Sequence, residues 1–211
     1  MNRWMTVVAV VVILGVGIGL TAARAEKGPA EKPGMESGAK CPVMDEPVDV
    51  SVSVATDDGP VFFCCPDCIK KYQEKPDKYA EKVTAQRKAM ASLPKVQVAC
   101  PLTGKPVDSK MFTEKDGKKV FFCCPNCKSK YEAEPAKYAG ALAGSYTYQT
   151  KCPVTEKEIN PLTFVELANG RKIYCCSKEC GEKLLKEPAK YLPNLEKQSI
   201  HLKPEEVKVK E

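Results

Sequence analysis

The stretch VFFCCPDCIKKYQEKPDKY, residues 61–79, carries three cysteines within five residues. It recurs as VFFCCPNCKSKYEAEPAKY at residues 120–138 and as IYCCSKECGEKLLKEPAKY at residues 173–191. A Cys-Pro pair precedes each copy at a nearly constant distance, and these pairs begin at Cys41, Cys100 and Cys152. Three self-similar units of about forty residues each predict tandem small domains, which we call repeats 1, 2 and 3.

Each repeat is predicted to form a β-hairpin followed by a short helix. The apolar run 48–55 alternates valine with polar residues, as in a half-buried strand; 111–113 and 162–167 correspond to it. Two-residue turns with positive φ at both central positions are predicted at Asp58-Gly59, Asp116-Gly117 and Asn169-Gly170. A second strand leads into the cysteines. The helices are predicted to start around Pro66, Pro125 and Ser177 and to end near the next proline.

These patterns predict an α+β fold of three tandem units. A unit of about forty residues buries too little apolar surface to fold unaided, so it needs a stabilising cross-link such as a bound metal or disulfides. Phe62, Phe63 and Tyr72 are expected to form the small core of repeat 1.

The turn glycine and the helix-ending proline define which cysteines are equivalent. Cys123 and Cys176 each lie six residues after such a glycine, and the next shared cysteine lies eight residues before the proline in all repeats. The trios are Cys41/Cys64/Cys68, Cys100/Cys123/Cys127 and Cys152/Cys176/Cys180. A fourth cysteine follows the shared position in repeats 1 and 2 but precedes it in repeat 3: Cys65, Cys124 and Cys175.

The trios predict metal sites. Small zinc-finger-like domains build their metal sites from two thiolates at a helix start and one at the entry to a hairpin. Three thiolates suit Cu(I) and other thiophilic ions, and the fourth cysteine, as a possible auxiliary ligand, would make a tetrathiolate site for Zn(II). The single histidine, His201, lies outside the repeats. Met44 is predicted to pack rather than to bind, because Thr103 and Thr155 take its place in the other repeats.

Two alternatives remain open for the cysteines. Twelve is an even number, and four cysteines in each repeat allow two disulfides. The protein would then be a structural or interaction protein whose modules are held by disulfides or by structural zinc. Cys65 and Cys68 also form a C-x-x-C pair at a helix start, as in thiol–disulfide redox proteins, although repeat 3 breaks that spacing. No other catalytic set is visible, so we do not expect an enzyme.

The N-terminus predicts export. Arg3 precedes a continuous apolar run at 7–20, and Ala23-Arg24-Ala25 matches a small-x-small cleavage site. Residues 1–25 are therefore predicted to be a signal peptide, and the protein to be periplasmic or secreted. The alternative is an uncleaved segment that anchors the protein in the membrane.

The segments around the repeats are predicted to be linkers and a tail. Residues 26–40 form a flexible linker, 81–99 a linker helix, 140–151 a second linker and 193–211 a charged, mobile tail. The formal net charge is +6, with lysine and glutamate interspersed, so nucleic-acid binding is not expected.

Residues 41–80, 100–139 and 152–192 resemble the YHS/TRASH family of small heavy-metal-binding domains. The motifs that carry the resemblance are CPVMDEPVDV, FFCCPDCIKKYQEKPDKY and their two copies. The resemblance implies a zinc-ribbon or treble-clef-like fold and a role in metal sensing, trafficking or resistance. The expected partners are metal ions and a metal transporter or acceptor protein.

Overall fold

The structure, a computed structural model, describes residues 38–115 and 117–209. The predicted signal peptide, most of the predicted linker 26–40 and the turn residue Asp116 lie outside the described residues. None of the helices in the described part of the chain has the length and apolar composition needed to span a bilayer.

The predicted α+β fold of three small hairpin-and-helix repeats is confirmed. Repeat 1 contains the strands β1 (Asp49–Thr56) and β2 (Gly59–Phe63) and the helix α1 (Pro66–Glu74). A 3₁₀ turn at Pro76–Tyr79 then leads into α2 (Ala80–Met90). The predicted helix start at Pro66 and its end before Pro76 agree with these bounds.

The other repeats follow the same order. Repeat 2 and its flanks contain β3 (Val96–Gln97), β4 (Asp108–Lys115), β5 (Lys118–Phe122), α3 (Pro125–Ala133), a 3₁₀ turn (Pro135–Tyr138), α4 (Ala139–Ala143) and β6 (Tyr146–Thr147). Repeat 3 contains β7 (Phe164–Glu166), β8 (Lys172–Tyr174), α5 (Lys178–Lys186) and α6 (Pro188–Glu196), with a 3₁₀ turn at Pro204–Glu206. Each hairpin is an antiparallel pair, and β3 pairs with β6.

The first strand of repeat 1 carries a bulge. Asp49 lies opposite Phe63, but Ser53 lies opposite the neighbouring Phe62, so the intervening residues of β1 have no partners on β2. The same shift occurs between β4 and β5. The bulge splits the predicted valine face, because Val50 joins the core shared with repeat 3 whereas Val52 packs beneath the cysteines.

The predicted turns are wrong in repeats 1 and 3. In repeat 2 Lys115 pairs with Lys118, but the predicted turn includes Asp116, which lies outside the described residues. In repeat 1 Thr56 pairs with Gly59, so the glycine (φ 112°) already belongs to the strand. In repeat 3 the Leu167 N–H donates to the Arg171 carbonyl, giving a three-residue turn in which only the glycine has positive φ.

The largest hydrophobic cluster joins repeat 1 to repeat 3. Val48, Val50 and Phe62 contribute to it from repeat 1. The other side comes from repeat 3 and the segment after it: Val165, Leu167, Ile173, Leu184, Leu192, Leu195, Ile200, Leu202 and Val207. The prediction of a mobile tail at 193–211 is therefore wrong for the part that the structure describes, since apolar residues spaced among its charges are buried in this core.

A buried ion pair also joins these two repeats. The Arg171 guanidinium donates to the Asp49 carboxylate at 2.6 Å, and both side chains are less than a tenth exposed. Ser51 donates to the other carboxylate oxygen through both its N–H and its hydroxyl. The His201 N–H donates to Asp49 as well, at 2.8 Å, so the tail is tied into the same network.

Repeat 2 is attached through a close helix contact. A Cβ placed on Gly140 of α4 would lie 1.8 Å from the Asp57 carbonyl oxygen in the hairpin turn of repeat 1. No side chain fits there without backbone movement, so this approach requires glycine. Tyr148, which follows repeat 2, completes the contact with an edge-to-face stack on Phe62 at 5.4 Å.

Candidate metal centres

The first cysteine of each trio lies on a tight turn. The Cys41 N–H donates to the Glu46 carbonyl at 2.7 Å, and the Asp45 N–H donates back to the Cys41 carbonyl at 2.9 Å. The same pair of bonds surrounds Cys100 and Cys152. Each turn needs one residue in the left-handed region, and these residues are Asp45 (φ 59°), Gly104 (φ 68°) and Glu156 (φ 56°). The turn directs the leading thiol toward the helix.

The other two cysteines of each trio lie at the junction between hairpin and helix. In repeat 1, Cys64 directly follows β2, and Cys68 lies in the first turn of α1. Pro66 occupies the first helical position, where its missing N–H costs nothing. The strand end and the helix start thus place two thiols four residues apart next to each other.

The structure brings the three predicted sulfurs of every repeat together. Within each trio the Sγ atoms all lie within 4.8 Å of one another. Cys64 and Cys68 are 3.7 Å apart, the corresponding sulfurs of repeat 2 are also 3.7 Å apart, and those of repeat 3 are 3.5 Å apart. The first and last cysteine of each trio are buried and the middle one is half-buried. We call these trios sites 1, 2 and 3.

The fourth cysteines lie outside these close trios and in two different environments. Cys65 and Cys124 occupy the N-cap position of the helix and are half-buried at the rim, with the Cys65 sulfur 3.5 Å from that of Cys68. In repeat 3 the N-cap is Ser177 instead. Cys175 is completely buried beside Cys152 and Cys180, so its thiol lies under the site.

The thiols of a trio differ in acidity. Burial alone would raise the pKa of Cys100, but the Cys123 N–H and the Thr103 hydroxyl lower it to about 7. Equivalent bonds around Cys152 outweigh its burial and also lower its pKa to about 7. Burial raises the pKa of Cys68 to about 12. Since thiolates bind metals, an ion entering site 1 would displace the Cys68 proton.

Burial likewise raises the pKa of Cys127 to about 12. At the rim hydrogen bonding outweighs burial, and the Cys127 N–H lowers the pKa of Cys124. Under site 3, burial and the nearby Cys152 raise the pKa of Cys175. The rim thiol therefore ionises more readily than the buried one.

One position beside each trio differs between repeats. The Thr103 hydroxyl lies 3.3 Å from the Cys123 sulfur, and the Thr155 hydroxyl lies 3.3 Å from the Cys176 sulfur. Repeat 1 has Met44 at this position, with 54% of the residue exposed. The prediction that Met44 packs is wrong, because the turn that carries it lies at the surface.

Three buried glutamines support the sites, although the cysteine motifs give no indication of them. The Gln149 side chain accepts from the Tyr174 N–H and donates to the Tyr174 carbonyl, so it bonds to β8 as a neighbouring strand would. It also donates to the Lys151 carbonyl. Gln97 forms the same three bonds in repeat 2. Both glutamines lie three residues before the Cys-Pro pair, a spacing that was readable in the sequence.

In repeat 1 the glutamine comes from a different element. Gln86, on α2, accepts from the Phe62 N–H and donates to the carbonyls of Phe62 and Lys40. Gly38 occupies the position three residues before Cys41, so the sequence spacing gives no signal there. The repeats thus form the same three hydrogen bonds, although the glutamine comes from a different part of the chain in repeat 1. This indicates that the bonds serve to position the leading cysteine against the hairpin.

The donor set fits a metal ion. Three sulfurs converge within 4.8 Å in each repeat, and soft thiolate ligands favour Zn(II), Cu(I) and related thiophilic ions. The structure thus contains three Cys₃ groups that could each hold a metal ion. No family model, curated protein or solved structure matches the chain.

Proposed function

We propose that this is an exported, non-enzymatic metal-binding protein. Its three repeats would each take up a thiophilic ion such as Cu(I) or Zn(II), for sequestration, trafficking or detoxification. One observation carries the proposal: in each of the three repeats, a turn, a hairpin end and a helix start bring three thiols together. A metal transporter or an acceptor protein would supply or receive the ion.

The geometry of the trios favours metal binding over pairwise bonding. A disulfide joins only two sulfurs, about 2 Å apart, so pairwise bonding does not require three sulfurs to converge. Within each trio the three sulfurs lie within 4.8 Å of one another, around a common centre. This arrangement suits one ion with three ligands.

Export and family membership rest on the sequence. The apolar run at 7–20 followed by Ala23-Arg24-Ala25 supports a periplasmic or secreted location. The cysteine, proline and Lys-Tyr motifs of the three repeats support membership of the YHS/TRASH family. The knuckle-like turn, hairpin and helix around each trio agree with the treble-clef-like architecture that the family resemblance implies.

Native mass spectrometry tests the proposal. The protein is purified without oxygen, offered Zn(II) or Cu(I), and weighed while its free thiols are counted. We expect three ions per chain. The variants Cys68→Ser, Cys127→Ser and Cys180→Ser should each lose one ion, whereas the exposed-site control Ser53→Ala should keep all three.

Two outcomes would replace the proposal. A protein that holds no metal and has no free thiols would be a disulfide-stapled structural or interaction protein. A metal-free protein that turns over a disulfide substrate would be a thiol redox protein. Retention of two ions by each variant would show that its other repeats still fold.

A further inference from the structure

The three candidate sites differ most at their rims. Site 1 has Met44 three residues after its leading cysteine, where the others have a threonine hydroxyl against a ligand sulfur. A thioether is a soft ligand that favours Cu(I) and carries no proton to lose. An exposed methionine on a turn is also free to move toward an incoming ion.

Site 1 has a second soft group at its rim. The Cys65 sulfur lies 3.5 Å from the Cys68 sulfur and is half-buried, so it reaches both the trio and the surroundings. An ion bound by Cys65 would therefore need little movement to reach the trio. Site 3 has Ser177 at this position, and its extra thiol, Cys175, is completely buried.

A cavity of about 370 Å³ opens beside site 1. Cys64 and Cys65 line it on the side of repeat 1, and Arg171, Lys203 and Glu206 line it on the other. The cavity exists because the segment after repeat 3 folds back over repeat 1. Two of the thiols of repeat 1 thus face a space large enough for a small chelate or for the side chains of a donor.

We propose that site 1 is where Cu(I) enters and leaves the protein, with Met44 and Cys65 as the rim ligands, and that site 3 retains its ion. This inference rests on the proposed metal-binding function. At the rim, a bond forms between copper and the Cys65 sulfur as a bond between copper and a donor thiolate breaks. The Cys65 proton passes to the released donor thiolate, and copper stays in the +1 state throughout.

The test is a chelator-exchange experiment on the full chain. The protein is loaded without oxygen with three equivalents of Cu(I), and an excess of a chromophoric bidentate Cu(I) chelator is added in a stopped-flow instrument. We expect one ion to leave faster than the other two. Met44→Thr, which installs the residue of the other repeats, and Cys65→Ser, which installs the residue of repeat 3, should each slow the fast phase about tenfold.

Cys124→Ser is the matched control, because it removes the equivalent rim thiol from repeat 2 and should leave the fast phase unchanged. Circular dichroism and a retained stoichiometry of three ions show that each variant folds. A fast phase unaffected by both Met44→Thr and Cys65→Ser overturns the inference, as does release of all three ions at one rate. These outcomes differ from failure of the proposed function, in which the unaltered protein binds no Cu(I) at all.

Discussion

Repeats 1 and 3 build the same trio of cysteines over different cores. In repeat 1 the Phe63 ring lies beneath the site and packs against Tyr72 at 5.4 Å. In repeat 3 the corresponding positions are Cys175 and Leu184, both completely buried. The sulfur separations are nevertheless close, 3.7 Å and 3.5 Å.

The packing beneath the cysteines therefore does not set their geometry. What the repeats share is the turn around the leading cysteine, the strand end, the first helical turn and a glutamine that bonds to the hairpin. These are backbone features held by hydrogen bonds, together with the glutamine side chain that bonds to the hairpin. They allow the core below to vary as long as its volume is filled.

The largest effect is expected from breaking the link between repeats 1 and 3. Arg171→Ala leaves the Asp49 carboxylate buried without its cation, and removing one partner of a buried pair is strongly destabilising. We expect the free energy of unfolding to fall by about 4 kcal/mol, measured by urea denaturation of the metal-loaded protein. The double variant Asp49→Ala/Arg171→Ala should lose less, because no unpaired charge remains.

Asp108 provides the control for this prediction. It occupies the position of Asp49 in repeat 2 but is exposed, so Asp108→Asn should change the unfolding free energy by less than about 0.5 kcal/mol. If Arg171→Ala were as mild as this control, the two repeats would not depend on the ion pair.

A second pair of variants tests the different cores directly. Phe63→Ala empties the space of a completely buried ring and should cost about 3 kcal/mol in unfolding free energy. Cys175→Ala removes a single atom of comparable size to a methylene and should cost about 1 kcal/mol. Equal losses in thermal or urea denaturation would contradict the idea that repeat 1 depends on its ring while repeat 3 depends on the core it shares with the tail.

The glutamine that the repeats share is expected to have an intermediate effect. Gln149→Ala leaves the buried N–H and carbonyl of Tyr174 without partners and should cost about 2 kcal/mol in unfolding free energy. Gln73→Ala, at an exposed position on α1, is the control and should be nearly neutral. A neutral Gln149→Ala would mean that water replaces the side chain without cost.

The sequence predicted the repeated features and missed those that depend on contacts between repeats. The hairpins, helix starts and three trios followed from spacing within a copy. The burial of Ile200 and Leu202 did not, because isolated apolar residues in a charged segment give no periodic signal. The partner of Asp49 was equally hidden, since Arg171 lies 122 positions away in the chain.

The grouping of the three shared thiols was predictable, but the placement of the fourth thiol was not. Counting from glycine and proline separated the shared cysteines from Cys65 and Cys175 without a structure. The sequence could not show that Cys65 lies at the rim and Cys175 beneath the site, because that depends on whether the residue directly follows a strand or caps a helix. The exposure of Met44 was also not predictable, because it depends on the surface turn in which Asp45 has positive φ.

The weakest effect is expected at the threonine hydroxyl that repeat 3 has and repeat 1 lacks. Thr155→Val keeps the shape of the side chain and removes the oxygen that lies 3.3 Å from the Cys176 sulfur. Groups that contact a ligand atom typically change metal affinity by about tenfold, so we expect site 3 to weaken by about that factor in competition titrations. Because Thr155 is exposed, the unfolding free energy of the metal-free protein should change by less than about 0.5 kcal/mol. Thr103→Val should weaken site 2 in parallel, whereas equal affinities before and after both changes would show that the hydroxyls do not support the ligands.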